Sequence, residues 1–202
     1  MQLLLIRHAL PQRTAAGEGS DPELDDLGWE QARRLPQALA RFPISRLVSS
    51  PQIRAIQTAE PVADSRAMAM EVDERLAEYD RGLSHYVPIE EVRAERPGDW
   101  ARMALGHLPE SVDSGAFRSR VRAALADIVD STDHRETAAV VSHGGVINVI
   151  LHEILGTARL LSFPIDYASV TQLRHSREGR TTVASVNVIE HVWDLLPRNR
   201  VR

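Results

Sequence analysis

Apolar residues fall into short runs separated by longer amphipathic stretches, and the two periods alternate from the first residue onward. Leu3, Leu4, Leu5 and Ile6 form an apolar run bounded by Gln2 and Arg7, which predicts a buried strand over 2–7. A Gly/Ser/Asp/Pro-rich loop follows from about 11 to 25. Leu35, Leu39 and Phe42 recur at helical spacing and predict a helix over Gly28–Arg41. Leu47–Ser50 reads as a second strand stopped by Pro51. Proline is favoured at a helix start, where its missing N–H needs no partner, so a second helix is expected from Pro51 to Asp64. Ala69–Val72 is a weaker third strand. Phe117–Val129 carries Val121, Leu125, Ile128 and Val129 on one helical stripe. A strand over Thr137–Ser142 and a helix over Val146–Leu155 come next. Strands over Ala168–Leu173 and Thr182–Val188, joined by a turn at Ser176–Arg180, complete the pattern.

Strands alternating with helices imply a three-layer α/β/α sandwich around a mostly parallel sheet. The short connector between the last two strands adds an antiparallel edge strand. Residues 80–113 break the alternation with Gly82, Pro88, Pro97, Gly98, Gly106 and Pro109 among short helical pieces, and read as a cap-like insertion over the sheet edge. The 202 residues otherwise fit a single domain, 1–202. No internal repeat is apparent.

Composition removes several chemistries. The chain has no cysteine, which excludes disulfides, thiolate catalysis and Cys-ligated zinc. It also has no lysine, so a Walker-type phosphate loop and Schiff-base catalysis are excluded. The eight histidines show neither HxxxH nor HExxH spacing, so no metal and no cofactor is expected. A net charge of −4 gives no support for nucleic-acid binding. The basic tail Arg198–Arg202 reads as a frayed, solvated end. Without a signal-peptide pattern or a long apolar run, no membrane contact and a cytoplasmic location are expected.

Candidate chemistry sits where strands end. The first strand runs into Arg7 and His8, at the carboxyl edge where open α/β sheets bind ligands. Far along the chain, Ala138–Ser142 runs into His143-Gly144-Gly145, again an apolar strand ending on a histidine. Glycines at that turn let backbone N–H groups approach a phosphate at a helix N-terminus. After the second strand, Arg54 falls in the first turn of a helix, where the dipole disfavours a cation unless an anion is shared. A strand-end arginine such as Arg7 equally needs an anion or water. Taken singly, each also has an ordinary structural reading: a satisfied core histidine, a capped helix, a glycine-rich turn.

Together these segments resemble the histidine phosphatase superfamily, also called phosphoglycerate-mutase-like. The resemblance is carried in order by Arg7-His8, Ser49-Ser50-Pro51 with Arg54-Ala55 and Gln57-Thr58-Ala59, Leu76-Ala77-Glu78 with Gly82, and Ser142-His143-Gly144-Gly145. Asp21, Leu24, Gly28, Gln31 and Ala32 are similar to that family's first-helix entry, and Glu110-Ser111 with Arg120-Val121 to its later helix. The resemblance implies that His8 is the nucleophile and Glu78 the proton donor, with His143 completing the catalytic set. It assigns Arg7, Arg54, His143 and the Gly144 amide to the phosphate oxygens. Glu78 alone would read as a surface carboxylate.

Some positions depart from the family pattern. Ala9 replaces the glycine usual after the first histidine, and Leu10-Pro11-Gln12-Arg13 replaces polar residues, leaving Thr14 as a substitute contact. Asp25 or Asp26 stands for the hydroxyl that usually caps the first helix. Arginine pairs typical of mutases are not evident in residues 80–113; Arg81, His85 and Tyr86 are the expected substrate contacts there. The expected function is therefore a metal-independent phosphomonoesterase acting on a small phosphorylated metabolite. Alternatives are a phosphoglycerate mutase and an inactive phospholigand-binding module. The resemblance leaves a homodimer open.

Overall fold

A computed structural model describes residues 1–14, 19–83 and 85–200. Six strands form one sheet: β1 (Gln2–Arg7), β2 (Ile44–Ser49), β3 (Met70–Val72), β4 (Thr137–Ser142), β5 (Val170–His175) and β6 (Thr181–Val188). Their order is β3-β2-β4-β1-β5-β6. The first four in that order are parallel, whereas β5 runs against both β1 and β6. The helices are α1 (Asp26–Ala38), α2 (Ile53–Arg66), α3 (Ile89–Glu95), α4 (Pro97–Ala104), α5 (Ser114–Asp130) and α6 (Gly144–Leu155). No described helix is long and apolar enough to cross a membrane.

The continuous apolar run of β1 is explained by helices on both faces. Leu3 and Leu5 pack with Ala138 and Val140 of β4 against Val121, Ile128, Val146 and Ile150 of α5 and α6. Leu4 and Ile6 point the other way, with Ala139 and Val141, against Ala32 and Leu35 of α1 and Ala55 and Ala59 of α2. Alternation with period two thus divides one strand between two cores.

The boundaries differ from expectation where polar residues disguise structure. Strand β2 begins at Ile44, because Ile44 and Arg46 pair with β4 on either side of a register shift at Ser45. Helix α5 begins at Ser114, where the Asp113 carboxylate accepts from the Ala116 N–H at 2.9 Å. Helix α1 is capped by Asp25, which accepts from Gly28 N–H at 2.6 Å. It ends at Ala38, short of the expected Arg41, with Pro36 in its last turn.

The segment before the basic tail carries structure that the apolar pattern does not predict. Residues 190–195 and 197–199 form 3-10 turns; Val192, Leu195 and Leu196 are buried, and Gln31 donates to the Leu195 carbonyl at 2.8 Å. Arg198 pairs with Asp166. Val192 and Leu196 join the core beside α1, so the chain is tied down as far as Leu196; within the basic tail Arg198 and Arg200 are exposed, as a solvated end requires, and Val201 and Arg202 lie outside the described residues.

Candidate active site

Parallel strands end on one edge of a sheet, and here all four deliver residues to it. β1 ends at Arg7 and leads to His8; β2 leads through Ser50 into α2 and Arg54. β3 leads through a 3-10 turn (Glu74–Leu76) to Glu78, and β4 leads to His143 at the start of α6. Beside these residues opens a cleft of about 930 Å³, lined among others by Arg7, His8, Arg54, Glu78, Arg120 and Gly144.

His8 is buried, and its Nδ1 lies 2.8 Å from the Ala9 carbonyl oxygen. A carbonyl can only accept, so Nδ1 carries the proton and Nε2 of the neutral ring carries the lone pair. Burial, then the charges of Arg54 and Arg7, hold the His8 pKa well below its ordinary value and keep the ring neutral. The His143 ring centroid lies 5.1 Å away and that of Tyr167 5.7 Å. His143 is held neutral by burial and the same arginines. Its Nε2 is 2.7 Å from the Ser50 hydroxyl, while its buried Nδ1 has no hydrogen-bond partner among the described residues.

Arg7 lies with its guanidinium 3.9 Å from the centre of the Tyr167 ring and donates to the Ile165 carbonyl. Arg54 is fully buried: Nη2 donates to both Asp80 carboxylate oxygens, at 2.8 and 2.9 Å, and Nη1 donates to the Ser20 carbonyl. The anion demanded by a cation in the first turn of α2 is thus supplied by the protein, and Arg54 Nε is left buried without a described partner.

The Glu78 carboxyl is buried too. Oε2 accepts from Gly145 N–H at 2.8 Å and Oε1 from Tyr79 N–H at 3.1 Å. Burial, then the charge of Asp80, pushes its pKa up to about 7, outweighing those two amide bonds. Gly145 is required for this approach, because a Cβ there would lie 2.4 Å from Oε1. Gly144 faces Arg7 with ordinary clearance, 3.8 Å from a notional Cβ to Nε, so its role is not steric.

The remaining expected contacts divide. Arg81, His85 and Tyr86 line the cleft, with Arg81 paired to Glu74 and Tyr86 buried beneath Arg54. Thr14 does not line it: its hydroxyl accepts from Tyr86 N–H at 2.9 Å and donates to the Gly19 carbonyl, which makes it a tie between loops instead of a phosphate contact. Ala9 stands at an ordinary negative φ with its methyl in the apolar core, so the absent glycine costs nothing in backbone strain.

Several further residues shape the site, and the sequence reading assigns them no role. Gln52 accepts from the Glu78 main-chain N–H at 2.6 Å and donates to the Asp80 carboxylate at 3.0 Å, so one amide ties the Glu78 backbone to Asp80. Thr58 accepts from Ala9 N–H and donates to the Arg54 carbonyl, joining the β1 end to α2. Asn148 holds Ser162 and Phe163 N–H groups with Oδ1 and donates to the Gly144 carbonyl with Nδ2. Nothing in the local sequence around Tyr167 announced it.

A family model described as the histidine phosphatase superfamily (branch 1) matches residues 3–188. A putative phosphoserine phosphatase 2 of Hydrogenobacter thermophilus is 30% identical over 203 residues, covering 96% of this chain and 98% of that one. A probable phosphoglycerate mutase of Enterobacter sp. strain 638 is 29% identical over 165 residues, covering 77% and 75% respectively. Among solved structures, a mycobacterial glucosyl-3-phosphoglycerate phosphatase complexed with VO3 is similar with a TM-score of 0.76 and 26% identity, over 93% of this chain and 98% of that one.

Proposed function

Because the chain belongs to branch 1 of the histidine phosphatase superfamily and is a phosphatase, we propose that it hydrolyses a phosphomonoester in two in-line steps through a phosphohistidine on His8. The observation that carries this reading is the bond from His8 Nδ1 to the Ala9 carbonyl, which leaves the lone pair on Nε2 of a neutral ring at the cleft. In the first step Nε2 attacks phosphorus and the bond from phosphorus to the alcohol oxygen breaks. Glu78, protonated below about pH 7, gives its proton to the departing oxygen. In the second step water attacks the phosphohistidine, the ionised Glu78 takes its proton, and the P–N bond breaks.

Charge developing on the equatorial oxygens is met by Arg7, by Arg54 through its unpartnered Nε, by the Nδ1 proton of His143, and by the Gly144 amide at the N-terminus of α6. With the Ser50 hydroxyl as donor to Nε2, the ring proton of His143 falls on Nδ1, the tautomer this reading requires. Arginine and imidazole donors suffice for this charge, so no metal is required. Residues 80–113, which supply α3, α4 and much of the cleft wall, set the choice of alcohol.

The mutase reading is favoured by one observation, the similarity to a probable phosphoglycerate mutase over 77% of the chain. A phosphoester panel separates the two. Phosphate release that survives EDTA, is blocked by vanadate, and accompanies an acid-labile phosphoenzyme on His8 is expected. Phosphate transfer to phosphoglycerate in preference to water would establish the mutase; dependence on added magnesium would overturn the metal-free mechanism.

A further inference from the structure

Resting on the phosphatase reading for its phosphate end, we infer that this cleft selects a phosphoester whose alcohol is bulky, apolar and uncharged. The first ground is size. A cleft of about 930 Å³ stands near the top of the roughly 300–1,000 Å³ range typical of sites for drug-sized ligands, far beyond a phosphate on a two- or three-carbon chain.

The second ground is the wall. Beyond the phosphate end the cleft is faced by Leu83, Val92, Trp100, Met103, Phe163 and Ile165. Helices α3 and α4 bring the middle three, and the loop before β5 brings the last two. Phe163 is fixed, because both its N–H and its carbonyl are bonded to the Asn148 side chain at 2.9 and 3.1 Å. Such a surface gains from an apolar body and nothing from a small polar one.

The third ground is charge. A carboxylate or second phosphate on the alcohol would need a cation offering a fork of N–H donors. Outside the phosphate end, the cleft's arginines are Arg81, Arg96 and Arg120. Arg81 is paired with Glu74, Arg96 bonds the ring and carbonyl of His85, and Arg120 donates to the carbonyls of Arg75 and Glu78. The same walls carry Glu74, Asp99, Asp113 and Asp166, so the outer cleft holds no excess of positive charge.

Calorimetric titration with non-hydrolysable phosphonates tests this without requiring turnover. The probes are methyl-, butyl-, hexyl- and 2-phenylethylphosphonate, with 3-phosphonopropionate as the carboxylated control. Affinity is expected to rise by about fourfold per methylene from methyl to hexyl, with the carboxylated probe weaker than the butyl one. Trp100→Ala and, separately, Phe163→Leu should flatten the chain-length slope while leaving methylphosphonate binding unchanged, which also certifies the fold. A flat series in the wild type, or tighter binding of 3-phosphonopropionate than of butylphosphonate, would overturn the inference. Chain-length-dependent binding without hydrolysis of the matching phosphate esters would instead overturn the phosphatase reading and leave this one standing.

Discussion

Glu78 shows how little a side chain's identity says before its surroundings are known. On a loop it would be an ordinary carboxylate; enclosed beside Asp80 it holds its proton up to about pH 7. The proton-donor role proposed for it predicts that kcat/KM for an alkyl phosphate falls as pH rises through about 7, since the required acid is then lost. Glu78→Gln is expected to slow pre-steady-state phosphorylation by alkyl phosphates by about 10²–10⁴-fold. An activated aryl phosphate, whose phenolate leaves without a proton, should lose far less in that step. Equal losses on both esters would remove Glu78 from the role, leaving Asp80 as the next carboxylate to test. For His8, the expected result of His8→Ala is a folded protein without phosphoenzyme, checked by circular dichroism and acid-quench labelling. The gathering of Arg7, His8, Arg54, His143 and Gly144 at one sheet edge was legible from strand ends and motif order, and that of Glu78 from the family resemblance alone. Thr14 was misplaced, since no pattern in sequence says whether a hydroxyl faces a cleft or ties two loops.

Helix and strand boundaries carry the precision of the site. The start of α6 is where Gly145 lets the Glu78 carboxylate reach a main-chain amide. Gly145→Ala is expected to fold but to displace that carboxylate, lowering turnover of alkyl phosphates by at least about tenfold, comparable to losing much of a general acid; unchanged kcat would show that the carboxylate tolerates the shift. The start of α1 is more sharply constrained. A Cβ on Gly28 would lie 1.9 Å from the Leu10 carbonyl oxygen, a main-chain atom that cannot step aside alone. Gly28→Ala should therefore cost stability, on the order of 1–3 kcal/mol as overpacking usually does, read as a lowered urea midpoint. Apolar periodicity located each of these elements, but it begins with the first buried residue. Polar caps such as Asp113 and polar ladder residues such as Arg46 consequently fall outside the elements that periodicity marks.

Across the molecule, the two buried histidines tie folding to pH. Both have pKa values depressed below their unfolded value of about 6.5. The unfolded chain therefore binds more protons below that pH, and their stabilisation is lost as pH falls. Glu78 works the other way between its unfolded value of 4.5 and about 7, because the folded state keeps its proton. Two depressed groups against one raised group leave a net fall in stability as pH drops from about 6.5 towards 4.5. Urea melts at successive pH values should show that fall, and His143→Asn should reduce its slope; an unchanged slope would mean that His143 is not neutral in the fold. The packed C-terminus has its own consequence. Deleting residues after Ile189 uncovers Gln31 and the α1 face and removes the Arg34–Asp194 pair, so the truncated chain should lose stability.

The order of strands and helices, the division of β1 between two cores and the residues at the strand ends were set by local pattern, because side-chain period and apolar runs depend only on neighbours in the chain. Pairing order, the reversed β5, the Arg54–Asp80 bond and the Gln52 clasp on Glu78 were decided only by the folded chain. Those contacts join residues far apart in sequence or reaching from separate elements, and neither a hydrogen bond nor a desolvated charge has a partner until the sheet brings the ends together. The segment before the tail belongs with them: Val192 and Leu196 have a core to join only once α1 offers an apolar face.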